Sequence, residues 1–263
     1  MNYLDKEDRI IDLFQDSAFQ DAIFVGASRD ALSVYGAVHN RTKWRNWTNS
    51  SGKSDPPPDY FSQTYGLMMD VMRTDDHTRL NKYGKAVNPT NQKEAQIQKE
   101  LAENGFLDMF PHVDGVLVNA VTDLPSREDH NYQFYYSAFQ RVIQKHIASI
   151  PLYKKNRPDC KVVFFIMDES SGYVQATDKR LARRGTKHGE SFLFEPYNQF
   201  LDRRFVASFM NADIDYLIWY APYKHFDSNL PTPPPSVCVY DVKRINPNEL
   251  IDCPEEMIIS TEE

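Results

Sequence analysis

The chain has 263 residues, 41% of them hydrophobic and 25% charged, and a formal net charge of −7. That balance argues against a protein that coats nucleic acid through bulk positive charge, while leaving room for a local basic groove. Three cysteines with no CxxC pair argue against a zinc knuckle or a disulfide framework, so free thiols and a cytoplasmic setting are expected.

The longest uninterrupted apolar run, residues 162–167, is far too short to cross a bilayer, and no membrane partner is expected. In chain order, residues 5–19 carry Ile10, Ile11, Leu13, Phe14 and Phe19 as one stripe among carboxylates, which predicts an amphipathic helix. AIFVGAS (22–28) predicts a strand; ALSVYGAVH (31–39) reads equally as its hairpin partner or as a helix. Residues 40–59 form a long polar loop closing in Asp-Pro-Pro-Pro-Asp, and loops of that length are usually functional or disordered. GLMMDVM (66–72) is the next strand and NKYGK (81–85) a turn.

Residues 91–104 predict a helix that Gly105 caps, followed by a buried strand at 115–121. A long helix at 127–149 brings Phe134, Phe139, Val142, Ile143, His146 and Ile147 toward one side, with Pro151 as its stop. KVVFFIM (161–167) is apolar on both faces, as a central strand covered by helices above and below should be. A helix at 197–210, a strand at 215–220, the Pro-rich stretch 230–236 and a strand at 237–242 follow. The pattern predicts one α/β domain, residues 1–245, with a mixed, partly parallel central sheet flanked by helices and long loops near 40–65 and 170–190. Residues 246–263 read as an acidic, frayed tail.

Several familiar motifs fail. SSGKSD (50–55) has Trp47 where a P-loop needs its first glycine, and three prolines follow where a helix must start. GxGxxG, GxSxG and HExxH are absent.

Two carboxylate sets remain. The first is Pro58-Asp59 followed on the next strand by Asp70-Val71-Met72-Arg73. A hard cation wants carboxylate oxygens, and attack on a phosphodiester needs phosphate charge neutralised. In outline these residues resemble the PD-(D/E)xK nucleases across the N-terminal part of the chain. The resemblance implies Mg²⁺ on Asp59 and Asp70, with Glu7 of the first helix completing the site. Met72 stands where that pattern has its Lys; Arg73 falls on the opposite face of a regular strand and is a poor proton acceptor. Asp70, flanked by Met68 and Met72 on its own face, needs a metal, a bent Arg73 or a backbone turn to satisfy it. TDDH (74–77) reads as a solvated turn, since Asp75, Asp76 and His77 alternate faces.

The second set is Asp168 and Glu169, at the exit of the strongest strand, where open α/β sheets bind ligands. Asn119 and Asp123 at another strand end would complete that rim, and Asp168 is its candidate metal ligand. Two basic clusters could hold substrate: Lys43, Trp44, Arg45 and Trp47 in HNRTKWRNW (39–47), and Arg183 and Arg184 in KRLARRGTKH (179–188). Basic residues interleaved with aromatic ones suit a single-stranded or flipped nucleotide. Two functions stay open. One is a Mg²⁺-dependent phosphodiester- or nucleotide-processing enzyme using Asp59, Asp70, Asp168 and Glu169. The other is a non-catalytic binding protein whose aromatic-rich surface recognises a protein or small ligand. The oligomeric state is not readable from the sequence.

Overall fold

The computed structural model describes residues 7–18, 21–51, 56–77, 79–80, 83, 86–106, 109, 131–184, 194–224 and 235–261. The first half contains α1 (Glu7–Asp16), β1 (Ala22–Val25), α2 (Arg29–His39), α3 (Arg41–Trp44), β2 (Thr48–Asn49), β3 (Tyr60–Ser62), β4 (Leu67–Thr74), β5 (Arg79–Leu80), β6 (Ala86–Val87) and α4 (Pro89–Glu103). The second contains α5 (Tyr132–Asn156), β7 (Lys161–Asp168), β8 (Tyr173–Ala176), α6 (Lys179–Arg184), β9 (Phe194–Pro196), α7 (Arg203–Ala207), β10 (Tyr216–Tyr220), β11 (Val237–Asp241) and β12 (Ile258–Ser260).

Seven strands form one sheet in the order β1-β11-β10-β7-β4-β3-β2. β4, β7 and β10 are parallel neighbours, while β3 and β11 run against them. The chain is therefore α/β with a mixed, partly parallel sheet, as the alternation of elements requires. Period-two alternation divides the core into two layers. Met68, Met72, Phe164, Ile166 and Trp219 pack with α5 and α7 on one face. Met69, Val71, Phe165, Met167 and Ile218 pack with Ile10, Ile11 and Phe14 of α1 and Tyr35 of α2 on the other. Phe164 and Phe165, adjacent on β7 and both fully buried, each stabilise their layer by roughly 1.5–3 kcal/mol.

Several elements differ from the sequence expectation. Residues 31–39 are helical because the Ser28 side chain accepts the Ala31 N–H at 3.0 Å and caps α2. Pro151 lies inside α5 rather than ending it; Ile150 and Tyr153 around it are buried, which offsets the roughly 3 kcal/mol of a mid-helix proline. The helix expected at 197–210 splits into a 3₁₀ turn, Gln199–Leu201, and α7, because Asp202 turns to cap α7 through the Arg204 N–H at 2.8 Å. The long loops hold α3 and β2, then β8 and α6. The acidic stretch does not fray through residue 261: β12 pairs with β8, and Leu250, Cys253, Ile258 and Ile259 between the acids are buried. The strand expected at 115–121 lies outside the described residues.

Gly105 has φ +65 and ends α4 as expected, with the Phe106 N–H on Leu101 and its own N–H on Ala102. Gly26, just past β1, is more constrained: φ is +66 and a Cβ there would sit 2.7 Å from the Asp241 carbonyl oxygen. Gly26→Ala is expected to destabilise the protein by about 2 kcal/mol or more, read as a lowered thermal midpoint. An unchanged midpoint would contradict this close approach of β1 and β11.

Cys160, Cys238 and Cys253 are all free, as their spacing suggested. Among the described residues no helix is long and apolar enough to cross a membrane.

Candidate carboxylate site

The β3–β4 register pairs Tyr60 with Met69, so Asp59, one residue before β3, stands opposite Asp70. The ladder ends there, and the next β4 donor, the Val71 N–H, is taken by Asp59 Oδ2 at 2.8 Å in place of a backbone rung. The main chain around Asp59 is pinned from the β2 side. Ser50 donates its N–H to the Asp59 carbonyl and its hydroxyl to the Pro58 carbonyl, both at 2.6 Å. Tyr60 is buried and donates its hydroxyl to Asp8 at 2.6 Å.

Asp70 shares the α5 face of β4 with Met68 and Met72, as alternation predicts. Neither Arg73 nor a turn satisfies it. Its Oδ2 takes the Tyr153 hydroxyl at 2.7 Å and pairs with His146 Nδ1, both from α5. These residues lie 83 and 76 positions away in sequence, with no local cue linking them to Asp70. Their one sequence signal is a seven-residue spacing on the apolar side of α5. Arg73 turns to the other face and grips Glu169 in a bidentate pair at 2.8–3.1 Å.

Asp59 and Asp70 interact directly, and Glu7 on α1 lies close enough to feel Asp70. Burial, then the Asp70 charge, push the Asp59 carboxyl up to about 8 against the opposing Val71 N–H. Burial also raises Glu7, with Asp70 and Asp8 adding to it and a Ser51 hydrogen bond opposing. Donors from the surrounding chain fall on Oδ2 of each aspartate, and the two carboxyls also hydrogen-bond each other.

Among the described residues no group of three or more His, Cys, Asp or Glu is arranged to hold a metal ion.

Asp168 is a separate case. In the β4–β7 register it faces Thr74 while Asp70 faces Phe164, so the two are four positions, or about 13 Å, apart along the strands. Asp168 is fully buried. Its Oδ1 accepts the Ser170 N–H at 3.0 Å and hydroxyl at 2.5 Å; its Oδ2 accepts Tyr135 at 2.5 Å and the Trp219 indole at 2.9 Å. Lys224 Nζ lies 3.6 Å from Oδ2 and donates to the Ser170 hydroxyl and, at 2.8 Å, to the Ser171 carbonyl. This network leaves neither carboxylate oxygen open to an ion. Asp76 is not a solvated turn residue but fully buried, accepting from Ser171 and from the Tyr173 hydroxyl at 2.7 Å. Asn119 and Asp123 lie outside the described residues.

In the basic loop, Lys43 and Arg45 are exposed, while Trp44 and Trp47 are half-buried. The indoles stack at 5.2 Å, Trp44 also meets Tyr60 at 5.1 Å, and the Trp47 N–H donates to the Ala37 carbonyl at 3.0 Å. The loop thus abuts β3 at Tyr60, the residue after Asp59, with much of both rings engaged internally. Arg183 and Arg184 end α6, and their side chains lie outside the described ones.

No family model, curated protein or solved structure matches the chain.

Proposed function

We propose that Asp59 and Asp70 bind Mg²⁺ and that the protein hydrolyses phosphodiester bonds of a nucleic acid or nucleotide. The observation that carries this reading is the pair of carboxyls in direct contact, Asp59 also held at Oδ2 by the Val71 N–H and Asp70 at Oδ2 by His146 and Tyr153. Among the described residues no lysine or arginine pairs with either group; Arg73 is turned to Glu169, and His146, if protonated, adds positive charge. A site that concentrates negative charge without a fixed cation favours a mobile one.

When bound, Mg²⁺ would neutralise phosphate charge and make water a better nucleophile. The chain's own contribution is to hold Asp59 and Asp70 side by side, with Glu7 adding negative potential. Lys43 and Arg45, on the adjoining loop, supply positive charge for the substrate backbone. Met72 is buried in the α5 layer, so no lysine occupies the proton-transfer position of the PD-(D/E)xK pattern.

The test is Mn²⁺ titration of the whole chain together with cleavage assays on single- and double-stranded DNA, RNA and dinucleotides with Mg²⁺. Binding and cleavage that both vanish in Asp70→Asn support the reading. A chain that binds nucleotides but neither metal nor cleavage products would instead be the non-catalytic binding protein.

Substrate contact by the basic loop gives a further expectation. Changing Lys43 and Arg45 together to Glu should weaken single-stranded nucleic-acid binding, and wild-type affinity should fall steeply with salt. Tryptophan fluorescence gives the readout; a signal that ignores nucleic acid at low salt would remove the loop from the site.

A further inference from the structure

We infer that the outer face of α5 is a docking surface for the phosphate backbone of a double-stranded nucleic acid, held by Arg141, Lys145 and Lys155. The surface stands apart from the carboxylate pair and does not depend on it. Asp and Glu make up 37 of the chain's 263 residues, yet none of the 25 residues of α5 is acidic. The helix turns Tyr135, Phe139, Ile143, Ile150 and Tyr153 into the core. On the opposite side Arg141, Lys145, Ala148, Leu152 and Lys155, spaced i, i+4, i+7, i+11 and i+14, form one exposed stripe.

Among the described residues none of these three cations has an acidic partner; Asp213, which reaches the C-terminal end of the helix, is taken by Lys154. Lys154 and Lys155 complement the negative end of the helix dipole, which is reason enough for basic residues there. Arg141 and Lys145 sit mid-helix, where the dipole has no such effect, and like charges four residues apart repel. A stripe that keeps this pair with no acid beside it suits a polyanion. It covers about 21 Å of helix, with about 6 Å from Arg141 to Lys145 and about 15 Å from Lys145 to Lys155. Ala148 and Leu152 lie between, uncharged. Cations at both ends of an uncharged step match phosphates on the two sides of a duplex groove, which is about 6–12 Å wide. Single strands want aromatic rings to stack on, and the stripe has none. A membrane surface wants a broad apolar face, and Leu152 is the stripe's one large apolar residue. Asp70 lies on the inner side of α5, so the helix itself, about 10 Å across, separates the docked backbone from that carboxylate.

The experiment is fluorescence anisotropy of a labelled DNA duplex of about two helical turns, with the full chain in EDTA across a salt series, so that neither cleavage nor divalent metal enters. Arg141→Gln, Lys145→Gln and Lys155→Gln together should weaken duplex binding by roughly 10-fold or more at low salt. The slope of log affinity against log salt should become shallower by about 2 to 3, close to one for each lost phosphate contact. A matched variant, Lys99→Gln with Lys179→Gln and Arg244→Gln, removes equal charge from exposed positions elsewhere and should bind as wild type does. Equal losses in the two triple variants would reduce the effect to net charge and overturn the inference, as would wild type that does not bind the duplex. Polyglutamate that binds the same face more tightly than the duplex would assign it to an acidic protein and overturn the inference too. Thermal midpoints check the fold; if the α5 triple variant does not fold, Arg141→Gln with Lys145→Gln decides, and wild-type affinity in it overturns the inference. Duplex affinity lost in Asp70→Asn would place binding at the carboxylates and overturn it as well. Wild type that binds the duplex but neither binds Mn²⁺ nor cleaves supports this surface and removes the carboxylate reading alone.

Discussion

Lys224→Met is expected to destabilise the protein by about 3–5 kcal/mol, the range for removing one partner of a buried ion pair. Lys224 is almost wholly buried, and its amine faces Asp168, the Ser170 hydroxyl and the Ser171 carbonyl, 4.5 Å from the Tyr135 ring centre and 5.7 Å from that of Tyr173. Burial depresses its pKa below the ordinary lysine value, while Asp168 and then Asp76 oppose that shift. Methionine fills a similar volume, so the loss reads charge and hydrogen bonds rather than a cavity. Asp168 would keep the Tyr135, Trp219 and Ser170 donors but lose its cation in a site closed to water. Urea unfolding measures the effect. Asp168→Asn in the same chain should recover part of the loss, because the orphaned charge then disappears; the coupling appears in a double-mutant cycle. A loss below about 1 kcal/mol for Lys224→Met would mean that the carboxylate is satisfied without the amine.

The layered sheet was legible because β7 is apolar on both faces from Val162 to Met167 and β4 is so from Leu67 to Met72 apart from Asp70, a signal that needs no knowledge of the partner strand. Asp59 and Asp70 were legible for a related reason: a hairpin joins their strands, so sequence proximity becomes spatial proximity. His146, Tyr153 and Lys224 were not. Each meets its carboxylate across more than 50 residues, and which helix covers which strand is decided by packing of the whole layer. Pro151 misled for the opposite reason. The local rule that proline ends a helix was outweighed by the buried Ile150 and Tyr153 beside it. The same helix turn then delivers Tyr153 to Asp70, so the element whose length the sequence misjudged is the one that completes the site. Asp168 was correctly seen as a strand-end carboxylate, but its burial depends on Trp219 from β10 and Tyr135 from α5, which no local pattern around IMDESSGY reveals.

Asp59→Asn is expected to abolish the cation site while making the metal-free protein more stable near pH 8. Asparagine retains an oxygen for the Val71 N–H and loses the charge that opposes Asp70 and Glu7. In the folded chain the Asp59 carboxyl is pushed up to about 8, first by burial and then by Asp70; in the unfolded chain it returns to about 4. Between those values the folded state holds a proton that the unfolded state has released, so raising the pH works against folding. This contribution to stability is complete below about pH 4 and is lost as pH rises through about 8. The wild-type thermal midpoint without metal should therefore fall from pH 5 to pH 8, and Asp59→Asn should flatten much of that slope. Mn²⁺ should restore the wild-type midpoint at pH 8 and do little at pH 5, because a cation binds the ionised carboxylates and competes with the proton. The variant should bind Mn²⁺ more weakly than wild type by more than the roughly 100-fold that losing an outer partner costs. The contrary pattern is equally clear. If Asp59→Asn is about 1–3 kcal/mol less stable than wild type at pH 8 and binds Mn²⁺ unchanged, Asp59 serves the Val71 hydrogen bond alone, and the carboxylate pair is part of the fold rather than a cation site.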